Sequence, residues 1–228
     1  MEPINRYLDA AVLKPEMTRA EAIAAIQESI KWNTKTVCVR PFDIPLAKQL
    51  TAGSETGVSC VLAFPHGTTT TAVKVFEAAE YIRLGVDEID MVANYAMIRS
   101  GEWAFVEEDI RSVAHVCNNS GVPLKVIFET CYLTPEEIAQ TTQICISCGA
   151  AFVKTSTGFA ASGASPEAVG IMLKTADGRI KVKPSGGIRD RATALAYIEM
   201  GAQRLGTNFS ASRDLVEGGS KTGDPGGY

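Results

Sequence analysis

Eight short apolar runs recur along the chain, at residues 7–13, 36–39, 58–64, 88–92, 124–128, 150–154, 180–183 and 204–207. Between them lie segments whose apolar residues return at helical spacing: 19–32, 44–50, 68–84, 103–118, 135–148, 166–175 and 191–200. In the first of these, Ala22, Ile23, Ile26 and Ile30 share one face. Strands alternating with helices in this way predict an α/β fold, a single parallel (β/α)8 TIM barrel. An open doubly wound sheet is the competing architecture, but the glycine fingerprint expected after its first strand is absent. At 228 residues the chain suits one such barrel, and no linker or composition shift divides it. The expected organisation is a barrel over residues 1–217 and a Gly-rich, loosely ordered tail over 218–228.

Composition narrows the function. A hydrophobic content of 46% with 21% charged residues supplies a large core for a globular protein. The net charge of −4 gives no reason to expect nucleic acid or an anionic membrane as partner. No apolar run approaches membrane-spanning length, and Met1-Glu2-Pro3 opens neither a basic region nor an apolar signal core. The six cysteines lie mostly within apolar strand or helix patterns, as unpaired thiols do in a reducing cytoplasm. A cytoplasmic location is therefore expected.

The sixth run carries the chemistry. Ala150, Ala151, Phe152 and Val153 read as a buried strand, and then come Lys154-Thr155-Ser156-Thr157-Gly158. A lysine at the end of an apolar strand loses hydration, which disfavours its ammonium form. A neutral amine attacks carbonyl carbon, as in Schiff-base enzymes. The competing reading is a lysine whose stem lies on the strand while its ammonium reaches solvent.

In a barrel the active site lies at the carboxyl ends of the strands. Those ends here carry Asp9, Cys38, Asp90, Asn94, Glu129, Lys154, Lys183 and Ser185. Charged groups at so many strand ends are costly unless they face one another in a site. Asp90 alternates with Ile89 and Met91, so it is expected to point inward; a buried structural ion pair would use the same placement. Two ammonium groups about 4 Å apart repel by roughly 4 kcal/mol at an effective dielectric near 20, which favours a neutral amine. Two lysines and a carboxylate thus make a sufficient set: nucleophile, charge neighbour and proton relay. Metal chemistry fits poorly with only two histidines, and Cys145-Ile146-Ser147-Cys148 is expected to pack in a helix.

Glu88-Ile-Asp-Met-Val92, Lys125-Val-Ile-Phe-Glu-Thr130, Phe152-Val-Lys-Thr-Ser-Thr-Gly158, Val182-Lys-Pro-Ser-Gly-Gly-Ile188 and Arg204-Leu-Gly-Thr207 together resemble the deoxyribose-phosphate aldolase family. The likeness runs from Leu8-Asp9 through Gly206 in the family's order and spacing. It implies a metal-free and cofactor-free class I aldolase, acting on a small-molecule sugar phosphate and aldehydes. The implied reaction is reversible cleavage of 2-deoxy-D-ribose 5-phosphate to acetaldehyde and D-glyceraldehyde 3-phosphate. Carried over by position, Lys154 is the Schiff-base lysine, Lys183 the second lysine and Asp90 the relaying carboxylate. Asp9, Cys38, Thr157, Gly158, Gly186, Gly187, Gly206 and Asn208 are the implied substrate contacts. A homodimer is carried as the expected assembly. Family members often end in tyrosine, so Tyr228 is the implied proton donor to the enamine.

The chain also departs from the family. Asp9-Ala10-Ala11 stands where the family commonly has Asp-His-Thr. Gly206-Thr207-Asn208-Phe209 stands where it has Gly-Thr-Ser-Ser, so both serines of the phosphate end are replaced. Backbone N–H groups of the glycines and of a helix starting near Asn208 are expected to keep part of an anion site. The alternatives are a related class I aldolase for a non-phosphorylated hydroxyaldehyde, and a barrel that binds sugar phosphate without catalysis.

Overall fold

The computed structural model describes residues 2–218. Its eight strands are β1 (Leu8–Val12), β2 (Thr36–Val39), β3 (Gly57–Leu62), β4 (Glu88–Val92), β5 (Leu124–Ile127), β6 (Phe152–Lys154), β7 (Lys181–Lys183) and β8 (Leu205–Asn208). They form one sheet in the order β7-β6-β5-β4-β3-β2-β1-β8, and every pairing is parallel. The ends of the sheet meet just past β7. There Ser185 bridges Gly206, and the Gly206 N–H donates to the Pro184 carbonyl at 2.9 Å. That contact closes a (β/α)8 barrel, as the alternation of strand and helix predicts.

The helices are α1 (Arg19–Lys31), α2 (Ile44–Thr51), α3 (Thr71–Arg83), α4 (Tyr95–Arg99), α5 (Trp103–Asn119), α6 (Pro135–Ser147), α7 (Pro166–Ala176), α8 (Arg191–Met200) and α9 (Phe209–Glu217). Local chemistry sets their starts. Thr18 with Glu21, and Thr134 with Glu137, form reciprocal capping boxes that satisfy orphan N–H groups of α1 and α6. The helix anticipated from Thr68 begins at Thr71, with Thr70 extended at its N-cap. Five-residue α4 is too short to show a period and was not expected; it exists because Asn94 Oδ1 accepts from Met97 N–H.

The main core lies between barrel and helices, where Leu8, Ile26, Ile44, Leu62, Ile89, Met91 and Ile110 are fully buried. Cys145 and Cys148 pack into this core as well. A separate small cluster of Ala11, Leu13, Cys38 and Val61, with Phe64 against it, lies on the β1–β3 side. A buried ion pair between two helices interrupts the apolar layer. Lys74 of α3 reaches Asp109 of α5 at 2.6 Å and the carbonyl of Val92, the last residue of β4, at 3.1 Å. Asp109 also accepts from Thr71 Oγ1 at 2.8 Å. Among the described residues, no helix is long and apolar enough to cross a membrane.

Candidate active site

The side chains of alternate strand residues point into the barrel, and here that interior holds a layer of charge. Asp9, Glu88, Asp90, Lys125, Lys154, Lys183 and Arg204 are all buried. Asp90 is the hub. Its Oδ1 accepts from Lys125 Nζ at 2.5 Å; its Oδ2 accepts from Lys154 Nζ at 2.9 Å and Lys183 Nζ at 2.7 Å. Lys183 also donates to Asp9 Oδ2. Asp9 Oδ1 takes Arg204 Nη1 and Thr36 Oγ1, each at 2.7 Å. Because that Thr36 proton goes to a carboxylate, the Ser59 hydroxyl 3.0 Å away must donate to Thr36. Glu88 is held by Lys125 at 2.7 Å and by both terminal nitrogens of Arg204 at 2.7 and 3.0 Å. Arg204 also stacks over the Phe152 ring, 5.2 Å from its centroid.

The layer contains four cationic side chains and three carboxylates. Burial alone would raise the Asp90 carboxyl, but the ammonium groups of Lys125, Lys154 and Lys183 reverse this and hold it well below the usual range. Burial is likewise overridden at Asp9 by Arg204, Lys183 and Lys125, and at Glu88 chiefly by Lys125; both are lowered. Burial would lower Lys125 and Arg204; their carboxylate neighbours raise both instead. Cys38 lies at the edge of this layer, its thiol pushed up by burial and by the Asp90 charge.

These directions fix a pH dependence. A carboxyl whose native pKa is depressed binds fewer protons folded than unfolded, so its stabilisation is complete above the unfolded values near pH 4. It is lost only as pH falls through the native values. The barrel should therefore hold a nearly constant Tm from pH 7 to about 5 and fall steeply below about 4. Asp90→Asn should flatten the acid part of that curve, as read by thermal unfolding across the series. A wild-type Tm that already drops between pH 7 and 5 would contradict the assignment.

The structure therefore brings Lys154, Lys183, Asp90 and Asp9 into one contact network. Sequence reasoning, limited to strand ends, passed over Glu88, Lys125 and Arg204 as parts of it. The signal was present: Lys125 alternates with Leu124 and Val126, so the period that turns Asp90 inward turns Lys125 inward too. The other anticipated contacts lie around the mouth. Thr157 gives its hydroxyl to Glu129, and its N–H lies 3.2 Å from the same carboxyl. Burial raises Glu129, whose backbone is left-handed at φ 59. Gly158, Gly186 and Gly187 have φ of 87, 79 and 77, a region that glycine enters without penalty. Asn208 is the N-cap of α9, its Oδ1 accepting from Ala211 N–H at 2.7 Å and Ser210 Oγ at 2.9 Å. Tyr228 lies outside the described residues. Among the described residues, no group of three or more His, Cys, Asp or Glu is placed to hold a metal ion.

The two departures noted in the sequence meet in space. Ala11 of β1 and Asn208 of β8 are register partners. Both line a cavity of about 120 Å³ with Leu13, Met17 and Phe209.

Residues 5–211 match the family model described as DeoC/LacD family aldolase. The chain belongs to the DeoC/LacD aldolase family. A deoxyribose-phosphate aldolase of Mannheimia succiniciproducens is 43% identical over 217 residues, covering 95% of each chain. One from Thermococcus gammatolerans is 42% identical over 217 residues, covering 94% of this chain and 96% of its own. The solved structure of an aldolase called QR15 superposes with a TM-score of 0.87 at 41% identity, covering 93% of this chain and 94% of that one. As a DeoC/LacD aldolase the chain is an enzyme, a carbon–carbon lyase. Its charge layer fills the barrel interior and reaches the carboxyl ends of β6 and β7 at Lys154 and Lys183, where such chemistry is expected.

Proposed function

We propose that the chain cleaves 2-deoxy-D-ribose 5-phosphate reversibly to acetaldehyde and D-glyceraldehyde 3-phosphate, through a Schiff base on Lys154. The observation that carries this reading is the shared oxygen: Lys154 and Lys183 both contact Asp90 Oδ2. Lys154 is thus buried in contact with a carboxylate that also holds a second lysine, a setting suited to an amine nucleophile.

The Lys154 nitrogen adds to the sugar's aldehyde carbon and water leaves, giving an iminium. Removal of the 3-hydroxyl proton lets the C2–C3 electron pair move into the iminium. The bond breaks, D-glyceraldehyde 3-phosphate departs as an aldehyde, and an enamine remains on Lys154. Protonation of the enamine carbon and addition of water then release acetaldehyde and restore the amine. Asp90, in contact with both lysines, is positioned to pass protons among them and a bridging water. Acetaldehyde release from a panel of phosphorylated and free deoxy sugars tests the reading. No turnover on any of them would favour a binding barrel instead.

The phosphate end is the part most altered. Gly186, Gly187 and the first turn of α9 offer backbone N–H groups to an anion. The Asn208 carboxamide oxygen is already spent on capping α9, and the Phe209 side chain offers no polar atom. A lost side-chain bond to a charged group costs roughly 1.5–3 kcal/mol. We therefore expect 2-deoxyribose 5-phosphate to be cleaved with a raised KM and a small advantage over free 2-deoxyribose. Phe209→Ser should enlarge that advantage, chiefly through KM. A wild-type preference of several orders of magnitude, unchanged by the serine, would refute this account. The cavity beside Phe209 is the observation that favours a second reading, in which a non-phosphorylated hydroxyaldehyde is the better substrate.

A further inference from the structure

Among the described residues, two buried side-chain oxygens have no hydrogen-bond partner: Ser156 Oγ and Ser185 Oγ. Both residues are wholly buried. The other hydroxyls of this region are spoken for. Thr36 holds Asp9, Ser59 holds Thr36, Thr157 holds Glu129, and Thr207 pairs with Ser212. Thr155 uses its hydroxyl twice on the Ser185 backbone, accepting from the N–H at 2.9 Å and donating to the carbonyl at 3.1 Å. The main chain at Ser185 is therefore satisfied while its side chain is not.

The position of the two orphans is not arbitrary. Lys154 and Lys183 are register partners that point inward, and the chain stays extended beyond each. Ser156 and Ser185 follow two residues later, on the same inward alternation, roughly 7 Å further toward the mouth. A β-carbon at Gly206 would lie 2.0 Å from Ser185 Oγ and 3.2 Å from Lys183 Cε. The glycine thus leaves room for the serine hydroxyl directly beside the second lysine. A buried hydroxyl left without a partner is unfavourable in the free protein and calls for an explanation. At this place the group able to supply a partner is a substrate hydroxyl a few carbons beyond the iminium carbon.

We propose that Ser156 and Ser185 are specificity residues that hydrogen-bond the α-hydroxyl of the aldehyde fragment, the hydroxyl next to the carbon released as its carbonyl. The inference rests on the Lys154 reading and deepens it: the enzyme selects α-hydroxyaldehydes over aldehydes lacking that group. A site that dedicates buried polar groups to a substrate hydroxyl discriminates strongly against analogues without it.

The test runs in the synthetic direction, adding acetaldehyde to D-glyceraldehyde or to 3-hydroxypropanal, which lacks the α-hydroxyl. The wild type should favour glyceraldehyde in kcat/KM. Ser156→Ala and Ser185→Ala should each lower that ratio roughly tenfold or more. Their Tm should stay level or rise, because removing an unpartnered hydroxyl relieves a cost. A ratio that does not move, or a Tm that falls by several degrees in both variants, overturns the proposal; the latter would make the hydroxyls structural. Borohydride trapping of acetaldehyde on wild-type Lys154 separates the two levels. Absence of the Lys154 adduct overturns the aldolase chemistry and this inference together, whereas labelling with an unmoved ratio overturns this inference alone.

Discussion

Lys154→Ala is expected to lose turnover by roughly 10⁴-fold or more, the scale seen when a catalytic nucleophile is removed. Without the amine no iminium forms, and the electrons of the breaking carbon–carbon bond have no sink. Folding should survive the change. Asp90 keeps Lys125 at 2.5 Å and Lys183 at 2.7 Å, so no buried carboxylate is stranded. Reduction with borohydride in the presence of acetaldehyde should leave an ethyl group on Lys154, located by peptide mass spectrometry. Two other lysines share the layer, which makes the site of labelling decisive. An adduct on Lys125 or Lys183, or a Lys154→Ala enzyme that still releases acetaldehyde at an appreciable rate, would transfer the nucleophilic role.

Lys74→Ala should cost the fold about 3–5 kcal/mol, because it leaves the Asp109 carboxylate buried without its cation. Thr71 continues to donate to Asp109, but a single hydroxyl does not balance a charge. The loss should also reach the site, since Lys74 ties α3 to the carbonyl at the end of β4, two residues past Asp90. A double change, Lys74→Met with Asp109→Leu, removes both charges and should recover most of the stability. Urea unfolding of the wild type, Lys74→Met, Asp109→Leu and the double variant closes this cycle. A loss under about 1 kcal/mol for Lys74→Ala would mean that water reaches the carboxylate.

Much of the barrel was legible because its two periods are clean. Runs such as 88–92 and 124–128 alternate within β-rich chemistry, and 103–118 carries an apolar stripe at helical spacing, so element type followed directly. The meeting of Lys154 and Lys183 at Asp90 was legible for a related reason: both lysines end apolar strands where charge needs a purpose. The deeper layer was harder to see. Lys125 and Arg204 sit within or before their strands, and only the period-2 argument applied to every strand position brings them inside. Lys74 gave a different signal. It shares a helical face with Ala78 and Tyr81, both buried, so a lysine there announces a partner without naming it. Asp109 is 35 positions away, and no local rule connects the two. The job of Asn208 was half legible: a helix start was expected there, but the capping bond that occupies its oxygen is a matter of tertiary geometry. The unpartnered state of Ser156 and Ser185 belongs to three dimensions entirely.

The bond from Arg204 to Asp9 spans 195 positions, and Lys183 reaches the same aspartate across 174. Asp9 belongs to the first strand to be synthesised, whereas Lys183 and Arg204 arrive with the last two. During translation, then, the three carboxylates are made before all four cations that neutralise them, and Lys154 emerges before its neighbour Lys183. Until Lys183 and Arg204 are made, the contacts they give to Asp9 and Asp90 cannot form. On the Lys154 proposal, reactivity toward aldehydes is expected only once the final strand docks beside the first.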